Sequence, residues 1–161
     1  MTTESAPLRA QLRRILGWQD AHVGFEKTFE GLAPKLRGVR IDGFPHSPWE
    51  LLEHLRITQR DILDFCRDPN YHEPTWPDDY WPPAPEPPSE QAWEDSIAAF
   101  REDRAALETL ATDDSIDLFA TIPHGTGQTY IRELLLVADH NAYHLGQVVV
   151  IRRQLGAWGD A

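Results

Sequence analysis

The sequence predicts an all-α protein, a four-helix bundle with one long crossover loop. Apolar residues recur at helical spacing in four long stretches, and residues typical of helix caps stand at several of their ends. Most of the prolines fall in a single segment between the second and third of these stretches. The 161 residues suit a single domain, residues 1–161, that is large enough to bury a hydrophobic core.

Composition excludes several classes of function. The formal net charge is −11, from 26 acidic and 15 basic residues, which argues against a nucleic-acid backbone or an anionic membrane surface as partner. No apolar run approaches the ~20 residues that a membrane span needs. The first residues lack a basic region followed by an apolar core, so we expect no signal peptide. The single cysteine, Cys66, excludes an intrachain disulfide, and a reducing cytoplasm is the expected location.

The first two helices are predicted from different signals. Apolar residues recur at helical spacing through residues 6–32, which predicts one long first helix although two glycines weaken the pattern. The second helix begins with a capping box, in which Ser47 is the N-cap and Glu50 is the third helical residue. We expect this helix to end near Cys66, ahead of a proline.

The last two helices also carry start signals. Ser89 is a good N-cap for the third helix, and either Thr126 or Thr129 caps the last one. The last helix is expected to end in two arginines followed by a glycine, a pattern that is common at helix C-termini. Residues 39–44 and 117–122 are expected to form short extended pieces.

The segment 69–88 differs from the rest of the chain. Eight of its twenty residues are proline, so it is neither helix nor central strand. It is rich in aromatic and acidic residues and contains no Lys or Arg, whereas a disordered linker is poor in aromatics. We expect the segment to pack on the bundle. It either forms part of a binding site or simply covers one end of the core.

The last helix is apolar on almost every side, so we expect protein to surround it. His140 and His144 stand four residues apart in its middle, a spacing that places both rings on one face. Such a pair can bind one metal ion at about 2.0–2.1 Å, or it can be two core histidines with hydrogen-bond partners. His54 of the second helix is expected in the same interior of the bundle, where a lone histidine is usually structural.

The sequence lacks several motifs that mark known metal-binding and catalytic sites. Ferritin-like di-iron bundles use Glu-x-x-His pairs, but the residues three positions before the histidines are Leu51, Val137 and Asn141. The sequence has no His-Glu-x-x-His of zinc proteases, and no Cys-x-x-Cys-His for covalent haem. It also lacks a Gly-rich phosphate loop and a nucleophile elbow.

Three stretches resemble the DinB-like (DinB/YfiT) superfamily. They are residues 47–54, read as SPWELLEH, residues 123–128, read as PHGTGQ, and residues 139–147, read as DHNAYHLGQ. The resemblance runs over nearly the whole chain and includes the order of the helices. It implies a four-helix bundle that binds a divalent metal ion, often nickel or zinc, through three histidines. In this chain the corresponding residues are His54, His140 and His144.

The resemblance also implies a range of functions. Some members are thiol-dependent transferases or isomerases, and many have no known activity. We therefore expect a metal-dependent enzyme, a transferase using a low-molecular-weight thiol or a hydrolase, that acts on a small molecule and forms a homodimer. The alternatives are a non-enzymatic metal-binding or stress-response protein, and a helical interaction module without metal.

Three neutral imidazoles leave a tetrahedral ion with one open coordination position. The ion lowers the pKa of a water bound there to about 7, or it holds a thiol bound there as the thiolate. We expect segment 69–88 to fold back over the open end of the bundle. Its aromatic residues would line the cavity that leads to the metal ion there. Gln147 is a candidate for contact with a bound small molecule. Asp61 and Asp139 are candidates for a base or for an outer partner of the metal ligands, although helix-surface roles are the simpler interpretation. The expected substrate-binding residues are Trp76, Tyr80, Trp81 and Gln147.

Overall fold

The computed structural model describes residues 5–17 and 19–159. Within these residues the protein is all-α, as predicted, with five α-helices and no strand. The α-helices are α1 (Ser5–Ile15), α2 (Phe25–Phe29), α3 (Pro48–Arg67), α4 (Glu90–Thr112) and α5 (Tyr130–Gln154). Two short 3₁₀ helices cover Pro34–Leu36 and Asp78–Tyr80. None of the described helices is long and apolar enough to cross a membrane.

The four longer helices pack into a bundle. Helix α3 contacts both α4 and α5, and α1 packs mainly against α4. Two apolar clusters fill the interior. One lies among α2, the first half of α3, the first half of α4 and the second half of α5. The other lies among α1, the second half of α3, the second half of α4 and the first half of α5.

The prediction of one long first helix is wrong. Helix α1 ends at Ile15, and the chain passes through turns before the short helix α2 begins. The two clusters supply the reason. Leu12 belongs to the cluster around α1, whereas Phe25 and Phe29 belong to the other cluster, where Phe25 stacks on Phe100 at 3.9 Å. A straight helix over residues 6–32 would be about 40 Å long and would not place both groups in the core.

The two predicted extended pieces are also absent. Residues 39–44 contain a turn instead, in which Gly43 has a φ of +82° and the Phe44 amide donates to the Ile41 carbonyl. Of residues 117–122, only Thr121 forms a bridge, an isolated antiparallel pairing with Thr129. Among residues 5–17 and 19–159, neither segment has a neighbouring strand that could extend the pairing into a ladder.

The predicted helix caps are present. The Ser47 hydroxyl accepts a hydrogen bond from the Glu50 amide, and the Glu50 carboxylate accepts one from the Ser47 amide, which completes the capping box. Ser89 caps α4, and Thr129, rather than Thr126, caps α5. Gly156 follows α5 with a φ of +63°, a conformation that favours glycine.

Residues 68–89 form the connection between α3 and α4, which we call the proline-rich loop. It is fixed to the bundle at several points. The Ser47 hydroxyl donates to the Pro85 carbonyl at 2.5 Å. A Cβ atom at Gly38 would lie 2.6 Å from the Cβ of Glu86, so glycine at this position allows the loop to come close. The loop therefore packs on the protein, as its aromatic content predicts.

Replacing Ser47 with Ala is expected to lower the free energy of unfolding by about 2 kcal/mol, because the change removes the cap of α3 and leaves the Pro85 carbonyl without its donor. Ser89→Ala is a matched control, since Ser89 is an exposed cap of α4. It is expected to cost about 1 kcal/mol. Urea denaturation followed by circular dichroism measures both. Equal losses for the two variants would show that the Pro85 contact contributes nothing.

Candidate metal centre

Three imidazoles converge between the two apolar clusters. His54 comes from the first half of α3, and His140 and His144 come from the middle of α5. One ring nitrogen of each lies within 4.8 Å of the corresponding nitrogens of the other two. The Nε2 atoms of His54 and His140 are 3.1 Å apart. His54 and His144 are buried, and His140 is partly buried.

In His54 and in His144, the second ring nitrogen, Nδ1, lies within hydrogen-bond distance of an acceptor. His54 Nδ1 lies 2.9 Å from the backbone carbonyl oxygen of Tyr80, and His144 Nδ1 lies 2.7 Å from Oε1 of Gln147. A carbonyl oxygen can only accept a hydrogen bond, so Nδ1 carries the proton in both rings. The Nε2 atoms of His54 and His144 therefore carry lone pairs rather than protons.

His140 is held in a similar way. Its Nδ1 lies 3.4 Å from Oγ1 of Thr58. The Thr58 hydroxyl donates to the His54 backbone carbonyl at 2.7 Å, so it has no hydrogen left for His140 and acts as an acceptor. This arrangement favours a proton on Nδ1 of His140 and a free lone pair on its Nε2 atom.

Burial keeps the three rings neutral at pH 7. Loss of solvation lowers the pKa of His54 to about 4 and, together with the neighbouring imidazoles, the pKa of His140 to about 3. Burial also lowers the pKa of His144. A neutral imidazole is the form that binds a metal ion, so no proton has to be displaced from Nε2 near neutral pH.

This donor set fits one divalent metal ion. Two nitrogens bound at about 2.0–2.1 Å to a tetrahedral ion lie about 3.3 Å apart, close to the 3.1 Å between His54 Nε2 and His140 Nε2. Two lone pairs at that distance repel each other unless a cation or a proton lies between them. Three nitrogens also leave one coordination position open, which is typical of catalytic rather than structural sites.

Trp81 of the proline-rich loop stacks on the site. Its indole lies 3.9 Å from the His54 ring at an interplanar angle of 2°, and 3.8 Å from the His46 ring at 9°. His46 precedes the cap of α3, and its Nδ1 atom is buried with no hydrogen-bond partner among the described residues. The stacking restricts rotation of the His54 ring, while the Tyr80 carbonyl fixes its tautomer.

A cavity of about 460 Å³ opens beside the three histidines. Trp76, Tyr80 and Trp81 of the loop line it, and Tyr143 of α5 lines it as well. Two acidic residues and no Lys or Arg are among the lining residues. The cavity lies along the side of the bundle between the middle of α3 and the middle of α5, and not at an open end as expected from the sequence, because the loop folds back along α3.

The three remaining candidates occupy different places. Gln147 lies behind His144, where it holds the ring, and it does not line the cavity. Asp61 lines the cavity, but its carboxylate accepts hydrogen bonds from the hydroxyls of Tyr71 and Tyr80. Asp139 is exposed and lines the cavity.

Cys66 lies outside the site. Its side chain is buried in the apolar cluster around α1, and burial raises the pKa of its thiol to about 12. A protonated, buried thiol is a poor nucleophile and a poor metal ligand near neutral pH. Cys66 therefore fills part of the core.

Several contacts of the site did not emerge from the sequence. Thr58 stands one helical turn after His54, and that spacing is a signal that it shares a face with the histidine. Tyr143 is adjacent to His144 but gave no separate signal. The stacking of His46 on Trp81 depends on how the loop folds back, which no local pattern encodes.

Fold and site together define a class, an all-α bundle with a three-histidine cluster that is compatible with metal binding. Comparison with known families is more specific. A family model described as the DinB superfamily matches residues 18–148, which is most of the chain, so this protein belongs to the DinB superfamily. This confirms the resemblance seen in the motifs of the second and last helices. Comparison with curated proteins and with solved structures gave no significant match.

Proposed function

We propose that this protein is a metal-dependent enzyme that binds one divalent ion, nickel or zinc, through His54, His140 and His144, and that it transfers a thiol to a small apolar substrate. One observation carries the proposal. Three neutral imidazoles, each with its Nδ1 atom beside an acceptor, direct free Nε2 atoms to one point beside a cavity. Hydrogen bonds of this kind to the outer nitrogen are typical of metal-binding histidines.

The bound ion would supply Lewis acidity that keeps a thiol deprotonated at neutral pH. The residues of the chain would bind and orient the substrate. The aromatic walls exclude water and orient an apolar electrophile beside the sulfur. Transfer would form a carbon–sulfur bond as the bond from that carbon to the leaving group breaks, and the leaving group would take the bonding electron pair. The proton released by the thiol would pass to solvent on the exposed side of the cavity, where Asp139 lies.

Thiol transfer suits the cavity better than hydrolysis does. A hydrolase benefits from a general base that is free to take a proton from water. The carboxylate of Asp61 is already occupied by two tyrosine hydroxyls, and Asp139 is exposed rather than enclosed. A thiol has an ordinary pKa of about 8.5, so a bound ion would deprotonate it fully at pH 7 without such a base, whereas the pKa of a bound water falls only to about 7. A non-enzymatic metal-binding protein would not need a cavity with aromatic walls at the open position.

The cavity favours a neutral or cationic substrate with an aromatic or aliphatic body. Its lining contains four aromatic side chains, which provide apolar surface, and two carboxylates. The carboxylates disfavour an anionic group, because the lining contains no Lys or Arg to compensate the charge.

His140→Ala is expected to lower the affinity for zinc and nickel by more than about 100-fold, since loss of a direct ligand exceeds the 10–100-fold effect of outer-shell partners. His22→Ala is a matched control, because His22 is exposed and outside the cluster. Titration against a chromophoric chelator measures the affinities, and elemental analysis gives the metal content. Unchanged metal content in His140→Ala would show that the cluster is not the metal site.

Trp76→Ala is expected to weaken binding of benzyl mercaptan to the zinc-loaded protein by about 3–10-fold, because an aromatic contact contributes about 1 kcal/mol. Phe119→Ala is a close control, since Phe119 and Trp76 are equally exposed, at 67% each, and Phe119 does not line the cavity. Isothermal titration calorimetry measures both variants, with 4-(mercaptomethyl)benzoate as an anionic comparison that should bind more weakly to wild type. Equal affinities for the two variants would mean that the loop does not contact the ligand.

We also propose a homodimer that forms through the outer side of α5. Leu135 and Val150 are large apolar residues exposed on this helix, and their spacing places them on one side of it. Light scattering is expected to give twice the chain mass at micromolar concentration. Val150→Glu is expected to shift the mass to that of one chain, because it places a charge in the interface. A monomer mass for wild type would contradict the proposal.

A further inference from the structure

Asp61 joins the proline-rich loop to α3. Its two carboxylate oxygens accept separate hydrogen bonds, one from the Tyr71 hydroxyl at 2.6 Å and one from the Tyr80 hydroxyl at 2.8 Å. Both tyrosines belong to the loop, and Asp61 lies within α3. Hydrogen bonds to a carboxylate are stronger than those between neutral groups, so this contact is a firm attachment of the loop to the helix.

Tyr80 connects this attachment to the histidine site. Its hydroxyl binds Asp61, while its backbone carbonyl accepts the Nδ1–H of His54, seven residues earlier on the same helix. Two turns of helix, about 10.5 Å, separate these two positions. The next residue, Trp81, stacks on the His54 ring. The loop therefore contacts the His54 imidazole in two ways. The Tyr80 carbonyl meets the edge of the ring, and the Trp81 indole covers its face.

We propose that Asp61 is a positioning residue for the three-histidine site, and that attachment of the loop and binding of the metal ion are coupled. With the loop attached, the Tyr80 carbonyl keeps the proton of His54 on Nδ1 and leaves Nε2 free for the ion. When the loop detaches, His54 loses this acceptor and its stacking partner, and its ring samples both tautomers and more than one orientation. The inference rests on the metal-binding part of the proposed function.

The coupling is reciprocal. If the attached loop raises the affinity for the ion, the ion must stabilise the attached loop by the same factor. The same contacts argue against Asp61 as the general base, although it lines the cavity. Both of its oxygens are already occupied by tyrosine hydroxyls, and freeing one of them would loosen the contact that orients His54.

Two tyrosine variants separate positioning from a general loss of structure. Tyr80→Phe and Tyr71→Phe each remove one hydrogen bond to Asp61, but only Tyr80 also contacts His54. Positioning predicts a loss of zinc affinity of about 10-fold for Tyr80→Phe and for Asp61→Asn, and a smaller loss for Tyr71→Phe. Asp64→Asn, a change on the same helix outside the cavity lining, is the control and is expected to leave the affinity unchanged.

Nuclear magnetic resonance of the metal-free protein gives a readout that does not depend on metal binding. In the wild type, nitrogen-15 shifts of His54 are expected to show a single tautomer with the proton on Nδ1. In Asp61→Asn and Tyr80→Phe they are expected to move towards the average of two tautomers, while circular dichroism shows a folded helical protein. A wild-type His54 that is protonated on Nε2, or shifts that do not change in either variant, would overturn the proposal.

Limited proteolysis tests the reciprocal effect. Chymotrypsin cleaves after aromatic residues that are not followed by proline, so the sites in the loop are Tyr71 and Tyr80, because Trp76 and Trp81 each precede a proline. Saturating zinc is expected to slow cleavage within the loop by about fivefold or more in the wild type, and by much less in Asp61→Ala. Equal protection in both proteins would overturn the coupling. If the wild type binds zinc through His140 but the Asp61 variants bind equally well, only this inference fails. If the wild type binds no metal, the proposed function fails with it.

Discussion

The structure depends on the burial of three imidazoles in the middle of a helical bundle. Each imidazole has two polar nitrogens, and a buried polar atom without a partner costs free energy. The protein satisfies the Nδ1 side with the Tyr80 carbonyl, the Thr58 hydroxyl and the Gln147 amide oxygen. The Nε2 atoms are left facing one another, and a metal ion is the partner that can satisfy all three at once.

The two apolar clusters make this burial possible. They lie on either side of the polar layer and fix the spacing of α3 and α5, so the histidines need not hold the helices together. A second buried contact extends the layer, since Asn141 donates to Gln59, which in turn donates to the Phe100 carbonyl of α4. Three helices are thus connected at the level of the site, and this limits the freedom of the ligands before an ion binds.

The sequence predicted those features that local patterns encode. Capping residues located the starts of the last three long helices, and the spacing of His140 and His144 placed both rings on one face. The break after α1 was missed because periodicity does not reveal which of two core clusters an apolar residue will enter. The contacts of Tyr80 and Trp81 with His54 were missed because they depend on how the loop folds back across more than twenty residues.

The proline-rich loop links the cavity to the three-histidine cluster. The side chains of Tyr80 and Trp81 line the cavity, and the Tyr80 backbone carbonyl and the Trp81 ring contact His54. In the proposed function, the two residues that would meet a substrate therefore also hold one of the candidate metal ligands. A ligand that displaced Trp81 would also release the ring of His54, and the site would lose part of its preorganisation. A ligand that fits against Trp81 would reinforce the stacking instead. Under the proposed function, a substrate that complements the aromatic wall would therefore be favoured, because it leaves the three histidines in place.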